Sequence, residues 1–292
     1  MTRARGRRQA SGDGRRPAGA DGALPARPGR PRRAAFGSIP ALLLVALGVG
    51  AASLGAQVTE NPLTVSPGHY LLRVDALSLQ LKDSQPEPDG TRVSGQVVGA
   101  TFLTAGLAPR FDLQIGLEPF VRDRLRAGAE DHTDSGVGAV YLRPKWTFWS
   151  DAEWETLAAV MPYVKLPTHS GGVGRKAPEA GVIVPWSMAL DHGYRAGAMT
   201  EWDLVRNDAD DGYDSRWFNS LVLQGDLSRT SGLYLEGTLA FDSAGFARTE
   251  AALGIGWTVE TADGVELDFA FYGGLTRATP RLNPEIRLRW HF

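Results

Sequence analysis

The last seven residues set the strictest condition on this chain. Ile286, Leu288, Trp290 and Phe292 are apolar, and Arg287, Arg289 and His291 stand between them. Successive side chains of a strand point to opposite faces, so a period of two means one apolar face and one charged face. The pattern recurs upstream. Phe111, Leu113, Ile115 and Leu117 alternate with Asp112, Gln114, Gly116 and Glu118. Val182, Val184, Trp186, Met188 and Leu190 form another row, and Leu233, Leu235, Leu239 and Phe241 face away from Tyr234, Glu236, Thr238 and Asp242. Ala251, Leu253, Ile255, Trp257 and Val259 alternate with small residues, and Val265, Leu267, Phe269 and Phe271 with Glu266, Asp268, Ala270 and Tyr272. Weaker rows lie near 69–82, 91–104, 137–149, 154–166, 194–205 and 216–227. The first changes phase around Ala76, which predicts a bulge. That makes twelve strands and no helical stripe. Gly and Pro, 53 of 292 residues, agree with many short elements joined by turns.

The connections alternate in length. Long ones fall at 83–90, 122–136, 167–179, 206–215, 243–248 and 274–284, and short ones at 105–109, 150–153, 191–193, 228–232 and 260–264. An antiparallel meander through a membrane has this asymmetry, with short periplasmic turns and long external loops. A Greek-key sandwich has no reason for it. Aromatic residues belong near strand ends at a lipid interface. Trp146, Trp149 and Trp154 surround one short turn, and Trp290 and Phe292 close the chain. An open sheet edge is forbidden in lipid, and an even strand count abolishes both edges. The expectation is all-β: a transmembrane antiparallel up-and-down β-barrel of about twelve strands over residues 57–292. Alternation alone does not say which face is inside, so a soluble lipocalin-like carrier is the competing fold.

Residues 1–33 carry ten Arg and two Asp, and residues 34–56 carry no charge. Ile39 to Val49 reads IPALLLVALGV, followed by small residues up to Ala56. A basic flank, a short apolar core and a small-residue exit predict a basic extension plus a signal peptide over 1–56. Cleavage is expected after Ala56, with Ser53 and Gly55 as alternatives. A membrane anchor is the competing reading of this stretch. The remainder has 21 Lys and Arg against 31 Asp and Glu, which argues against a nucleic-acid partner. The absence of cysteine removes disulfide and thiolate chemistry.

Two motifs are more specific. Pro162-Tyr163-Val164-Lys165-Leu166-Pro167-Thr168 follows a strand and precedes a Gly-rich loop, with His169, Gly171 and Gly172 behind it. Val140-Tyr141-Leu142-Arg143-Pro144-Lys145-Trp146 forms the strand before. Both resemble the outer-membrane transporter family named for the meta-pathway of phenol degradation, over roughly 110–292. The first is similar to that family's "VKLPTG" stretch, with His169 where Gly is usual. The terminal strand ending in Phe292 also resembles the assembly signal of bacterial outer-membrane barrels. The resemblance implies a barrel, a transport-like role in the bacterial outer membrane and no catalytic residue.

In a barrel the polar face lines the interior. The expected lumen residues are Arg143, Lys145, Lys165, Glu201, Asp203, Glu236, Asp242, Glu266, Asp268, Arg287 and Arg289. They fit a porin-like solute pathway or a salt-bridge network filling a non-conducting structural barrel. Ala252, Gly254, Gly256 and Thr258 leave space beside their wall, and Tyr141, Tyr163, Tyr234 and Tyr272 are candidates to line an apolar pocket. Loop 167–179 reads as a strand exit or as a segment aimed into the lumen. The acidic run Asn207 to Asp214 lacks EF-hand spacing. His132 with Ser135 and His169 with Ser170 fall in expected loops, with no G-x-S-x-G elbow. The expected function is therefore passive uptake of small molecules, aromatic or hydrophobic ones included, without enzyme activity, cofactor or metal. The expected partners are outer-membrane lipid, the solute, and the barrel-assembly machinery reading the strand that ends at Phe292.

Overall fold

The computed structural model describes residues 58–81, 92–127, 130–153, 155–168, 170–173, 176–207, 211–243, 249–262 and 264–292. The basic extension and signal peptide, Trp154 and His169 lie outside the described residues, as does part of the acidic run. Fifteen strands follow in order: β1 (Tyr70–Leu81), β2 (Arg92–Val98), β3 (Ala100–Ala108), β4 (Phe111–Leu117), β5 (Phe120–Ala127), β6 (Glu130–Gly136), β7 (Val140–Asp151) and β8 (Thr156–Leu166). Then come β9 (Glu179–Ala189), β10 (Tyr194–Arg206), β11 (Tyr213–Asp226), β12 (Ser231–Asp242), β13 (Glu250–Ala262), β14 (Val265–Gly274) and β15 (Leu282–His291).

Twelve of them close a ring. β15 back to β7 pair in sequence, β7 pairs with β4, β4 with β3, β3 with β1, and β1 with β15. The closing ladder runs from Leu71 opposite His291 to Leu81 opposite Leu282, and its register shifts between Asp75 and Leu77. That is the bulge expected at Ala76. Tyr70 and Phe292 exchange backbone hydrogen bonds of 2.8 and 3.0 Å, which seals the seam at its lower end.

The remaining three strands correct the expectation. Residues 122–136 are not a loop: β5 and β6 form a hairpin, and β2 joins it to the upper half of β1. The single strand expected near 91–104 is broken into β2 and β3 at Gly99, whose φ of 71° turns the chain. The hairpin escapes an apolar-periodicity search because it alternates charge rather than hydrophobicity. Arg124 and Arg126 both pair with Asp131 across it.

Burial is inverted relative to a soluble protein. Leu221, Leu253, Ile255 and Phe271 are more than half exposed on the outer face, whereas Asp112, Glu236 and Asp268 are fully buried inside. This outward apolar band excludes the soluble carrier and makes the molecule a transmembrane barrel. The short turns share one end with exposed Trp146, Trp149, Trp290 and Phe292, and Trp202 faces Trp217 toward the other. At the short-turn end Tyr70 stacks on Phe292 with centroids 5.6 Å apart, and the Trp290 ring meets Phe292 tilted, at 4.7 Å.

The expected space beside β13 is filled. A Cβ added at Gly256 would fall inside the Tyr234 ring, and one at Gly254 inside the Tyr272 ring. Gly116 admits Phe102 in the same way. Two outcomes follow. Ile255→Arg puts a charge in lipid and should destabilise the barrel by about 2–4 kcal/mol, read by denaturant unfolding in vesicles. Gly256→Ala should cost about 1–3 kcal/mol through overpacking, and a Tyr234→Ala background should relieve it.

Candidate functional site

The lumen is crossed by a segment that alternation does not mark. Residues 58–69, Val-Thr-Glu-Asn-Pro-Leu-Thr-Val-Ser-Pro-Gly-His, precede β1 and form no strand. Pro62 and Pro67 deny the segment ladder donors. Its backbone is satisfied by side chains of the barrel wall instead. On one side Glu236 accepts from the amides of Val58 and Thr59 at 2.9 and 2.6 Å. The Thr59 hydroxyl donates to the same carboxylate at 2.6 Å and lies 2.7 Å from the Ser220 hydroxyl. Toward the other wall, the Lys145 ammonium donates to the carbonyls of Asn61 and Leu63, and the Thr147 hydroxyl donates to that of Pro62 at 2.6 Å. The Val65 amide donates to Asp112 at 3.0 Å. The segment is thus strung from β11 and β12 to β4 and β7.

Its centre is an ion pair. Glu60 lies 3.1 Å from Arg73 of β1 and 3.5 Å from Arg143 of β7. Both guanidinium groups lie over the Phe102 ring, at 4.2 and 4.8 Å from its centroid. Burial alone would raise the Glu60 carboxyl, but the charges of Arg73, Arg143 and Lys145 outweigh it and hold the group down to about 2, against an ordinary 4.5.

Around this crossing most of the residues expected in the lumen have partners. Arg287 meets Asp75 at 2.7 Å, and Arg289 reaches Glu266 at 2.8 Å and Asp268 at 3.5 Å. Lys145 lies 3.5 Å from Asp112, and Lys165 lies 3.0 Å from Glu179. Asp203 is buried and accepts from the Tyr163 hydroxyl at 2.6 Å, with Glu201 buried two residues away. Asp242 stands opposite Arg216 on the β11–β12 ladder. The inward tyrosines are engaged with carboxylates. Tyr141, Tyr163, Tyr234 and Tyr272 donate to Glu118, Asp203, Asp268 and Glu236.

Sequence reading missed Glu60, Arg73, Asp75 and Asp112. Asp112 stood on the inward parity of a strong row and was legible there. The bulge at Ala76 scrambled the parity of Arg73 and Asp75. Glu60 lay in what reads as a linker.

Two cavities flank the segment on the side of the short turns. One of about 600 Å³ is lined by Glu60, Trp186, Met188, Arg195, Gln224 and His291. The other, about 420 Å³, meets Arg73, Thr104, Gln114, Lys145 and Arg289. Glu60 borders both.

The KLPT stretch is a strand exit. The Thr168 hydroxyl donates to the carbonyls of Val137 and Gly138 at 2.6 and 2.8 Å, and Ser170 to Gly172 turn against β6. His132 and Ser135 sit on opposite faces of β6, three positions apart, with His132 3.0 Å from Asp134. Among the described residues no group of carboxylates or histidines has a metal-binding arrangement.

The profile of the family described as "MetA-pathway of phenol degradation" matches residues 80–292. The chain belongs to that family. Among solved structures, the COG4313 outer membrane channel from Pseudomonas putida F1 is similar in fold. It has 12% identity and a TM-score of 0.60, over 78% of this chain and 97% of that one. The translocator domain of the autotransporter NalP from Neisseria meningitidis gives 14% identity and a TM-score of 0.44 over 78% and 89%. The NanC porin gives 8% and 0.42 over 76% and 97%. No curated protein sequence matches.

The Glu60 arrangement has a definite pH dependence. A carboxyl held at about 2 favours the seated segment fully above pH 4.5, and the advantage is lost as pH falls toward 2. Hydrogen exchange at the Val58, Thr59 and Val65 amides, corrected for intrinsic rates, should therefore show constant protection from pH 8 to 5. Glu60→Gln should lose tenfold or more of that protection at pH 7. Equal protection in the variant would remove Glu60 from the account.

Proposed function

We propose that this family member is an outer-membrane channel for passive uptake of small molecules, held shut at rest by its own segment 58–69. One observation carries the reading: the only chain crossing the lumen among the described residues is a non-strand segment, tied to the wall by side-chain hydrogen bonds and ion pairs. Withdrawing residues 58–65 breaks no rung of the barrel ladder, while Gly68 and His69 stay bonded to Gly106 of β3. The wall stays closed while the lumen opens, which is what a gated pore requires.

The paired charges Arg143, Lys145, Lys165, Glu201, Asp203, Glu236, Asp242, Glu266, Asp268, Arg287 and Arg289 then line the pathway. Ions of both signs on one wall suit polar and weakly polar solutes. Fit to aromatic or hydrophobic solutes rests on the family resemblance alone. The likeness of fold to a Pseudomonas putida barrel described as an outer membrane channel supports the same reading. The lipid-facing band supports placement in a bacterial outer membrane, and in this reading the 1–56 leader exports the chain and the strand ending at Phe292 is recognised for insertion. A second reading, a non-conducting structural barrel, is favoured by how completely the lumen charges are paired.

Planar-bilayer recording separates the two. The refolded protein, checked by its heat-shifted gel band, should show small or rare steps. Glu60→Gln combined with Glu236→Gln should give larger and more frequent ones. A folded double variant that stays silent would establish the structural barrel instead.

A further inference from the structure

The hairpin β5–β6 and strand β2 continue the barrel wall beyond the long-loop end, and their outer face is basic. Leu81, Ser94, Arg124 and Thr133 share one rung of the sheet, and Leu79, Gln96, Arg122 and Ser135 the next. Side chains on adjacent strands of a rung lie on the same face. Leu79 and Leu81 belong to the outward parity of β1, opposite to inward Ser78. Arg122, Arg124 and Arg126 therefore point outward, on the face that meets lipid lower down. Arg92 occupies the rung of Arg126. Against these arginines the outer face of β5 and β6 sets one acid, Asp131, which both Arg124 and Arg126 engage.

The inner face is the reverse. Asp123 faces Asp134 across the hairpin, beside Val97 and Val121. A solvated extension has no reason to sort its charges this way, because both its faces meet water. Sorting is expected where the two faces meet different surroundings.

Depth identifies those surroundings. Phe120, exposed on the outward parity of β5, marks the upper limit of the apolar surface on this strand. Successive outward residues rise by about 5 Å each on a strand tilted by about 40°. Arg122 and Arg124 thus stand about 5 and 10 Å above Phe120, and Arg126 about 15 Å. The headgroup zone is about 5–8 Å deep on each side of the hydrocarbon. The arginines occupy it and its outer margin. Guanidinium groups bind phosphate through parallel donors, and a row of them on a flat sheet suits a phosphate-bearing surface better than a single soluble anion.

We infer that the outward face of β2, β5 and β6 docks the phosphate groups of outer-leaflet lipids. The inference rests on the outer-membrane placement and not on what the lumen carries. It gives the hairpin a task that the lumen does not: clamping the wall where Gly99 interrupts it. Arg122 is exposed, and the Arg124 and Arg126 side chains keep 37% and 43% of their surface while engaging Asp131.

The test uses the protein extracted from outer membranes in uncharged detergent, with lipid A as the probe and retention read by native mass spectrometry. Wild type should retain lipid A and release it as salt rises from 0.1 to 1 M. Dephosphorylated lipid A should not be retained. At about fivefold per arginine, Arg122→Gln, Arg124→Gln and Arg126→Gln together should weaken retention roughly a hundredfold, with the heat-shifted band intact. Equal retention by the folded triple variant, or of the dephosphorylated lipid by wild type, would overturn the inference. So would full competition by inorganic pyrophosphate at equal concentration, which would make this a site for free phosphate. The wild-type arms stand even if the triple variant fails to fold. Recovery in the outer-membrane fraction without lipid A retention would sink this inference while leaving the placement intact.

Discussion

Every backbone amide and carbonyl that meets lipid must find its partner on a neighbouring strand, and the rest of this molecule is arranged around that requirement. The seam is where it is hardest to meet, because β1 and β15 are more than 200 residues apart in the chain. It is met by a ladder that absorbs one extra residue at Ala76 and by reciprocal bonds between Tyr70 and Phe292. The bulge has a further consequence. It resets the parity of β1, so that Asp75 on one side of it and Ser78 on the other both face the lumen. Asp75 can then meet Arg287 across the seam, and a buried ion pair joins the strands already joined by the ladder.

Closure turns the polar faces inward, where a charge without a partner is expensive. The wall answers with pairs on neighbouring strands, Lys165 with Glu179 and Arg289 with Glu266, and with one that reaches over β13, Tyr234 with Asp268. Three carboxylates are completed differently. Glu236 and Asp112 accept backbone amides of the 58–69 segment, and Glu60 of that segment completes Arg73 and Arg143. The segment belongs to the lumen's electrostatics as much as to its shape. Its departure leaves groups on both walls to be solvated, so opening the lumen requires water to enter with it.

The ring was legible in the chain because lipid imposes one rule on every strand. Rows such as 251–259 and 265–271 keep strict parity, and their outward residues are the exposed ones. Three features obeyed other rules. The β5–β6 hairpin stands beyond the apolar band, so its faces are sorted by charge, and RDRLRA followed by EDHTDSG offers no hydrophobic period. The break between β2 and β3 depends on one glycine at positive φ, which composition does not single out. The 58–69 segment is held by tertiary contacts to residues as far away as Glu236, and no local pattern encodes a contact 177 residues distant. Family likeness located the strands after residue 110, and the match from residue 80 extends the family through β2 and β3 without reaching Glu60.

Space in the lumen is decided by aromatic rings opposite glycines. Tyr234 lies on Gly256, Tyr272 on Gly254 and Phe102 on Gly116, each across one rung of the ladder. A ring laid flat on a glycine covers the wall instead of standing into the channel, and its hydroxyl can still reach a carboxylate, as Tyr234 reaches Asp268. The same device serves the segment. Phe102, seated on Gly116, lies against both Arg73 and Arg143, and among the described residues Arg73 Nε and Nη2 and Arg143 Nε have no hydrogen-bond acceptor. The ring partly compensates those donors through cation–π attraction. The acceptor both arginines share is the single carboxylate of Glu60. The wall thus holds two cations against one ring, and the acid that completes them belongs to the crossing segment and not to a strand.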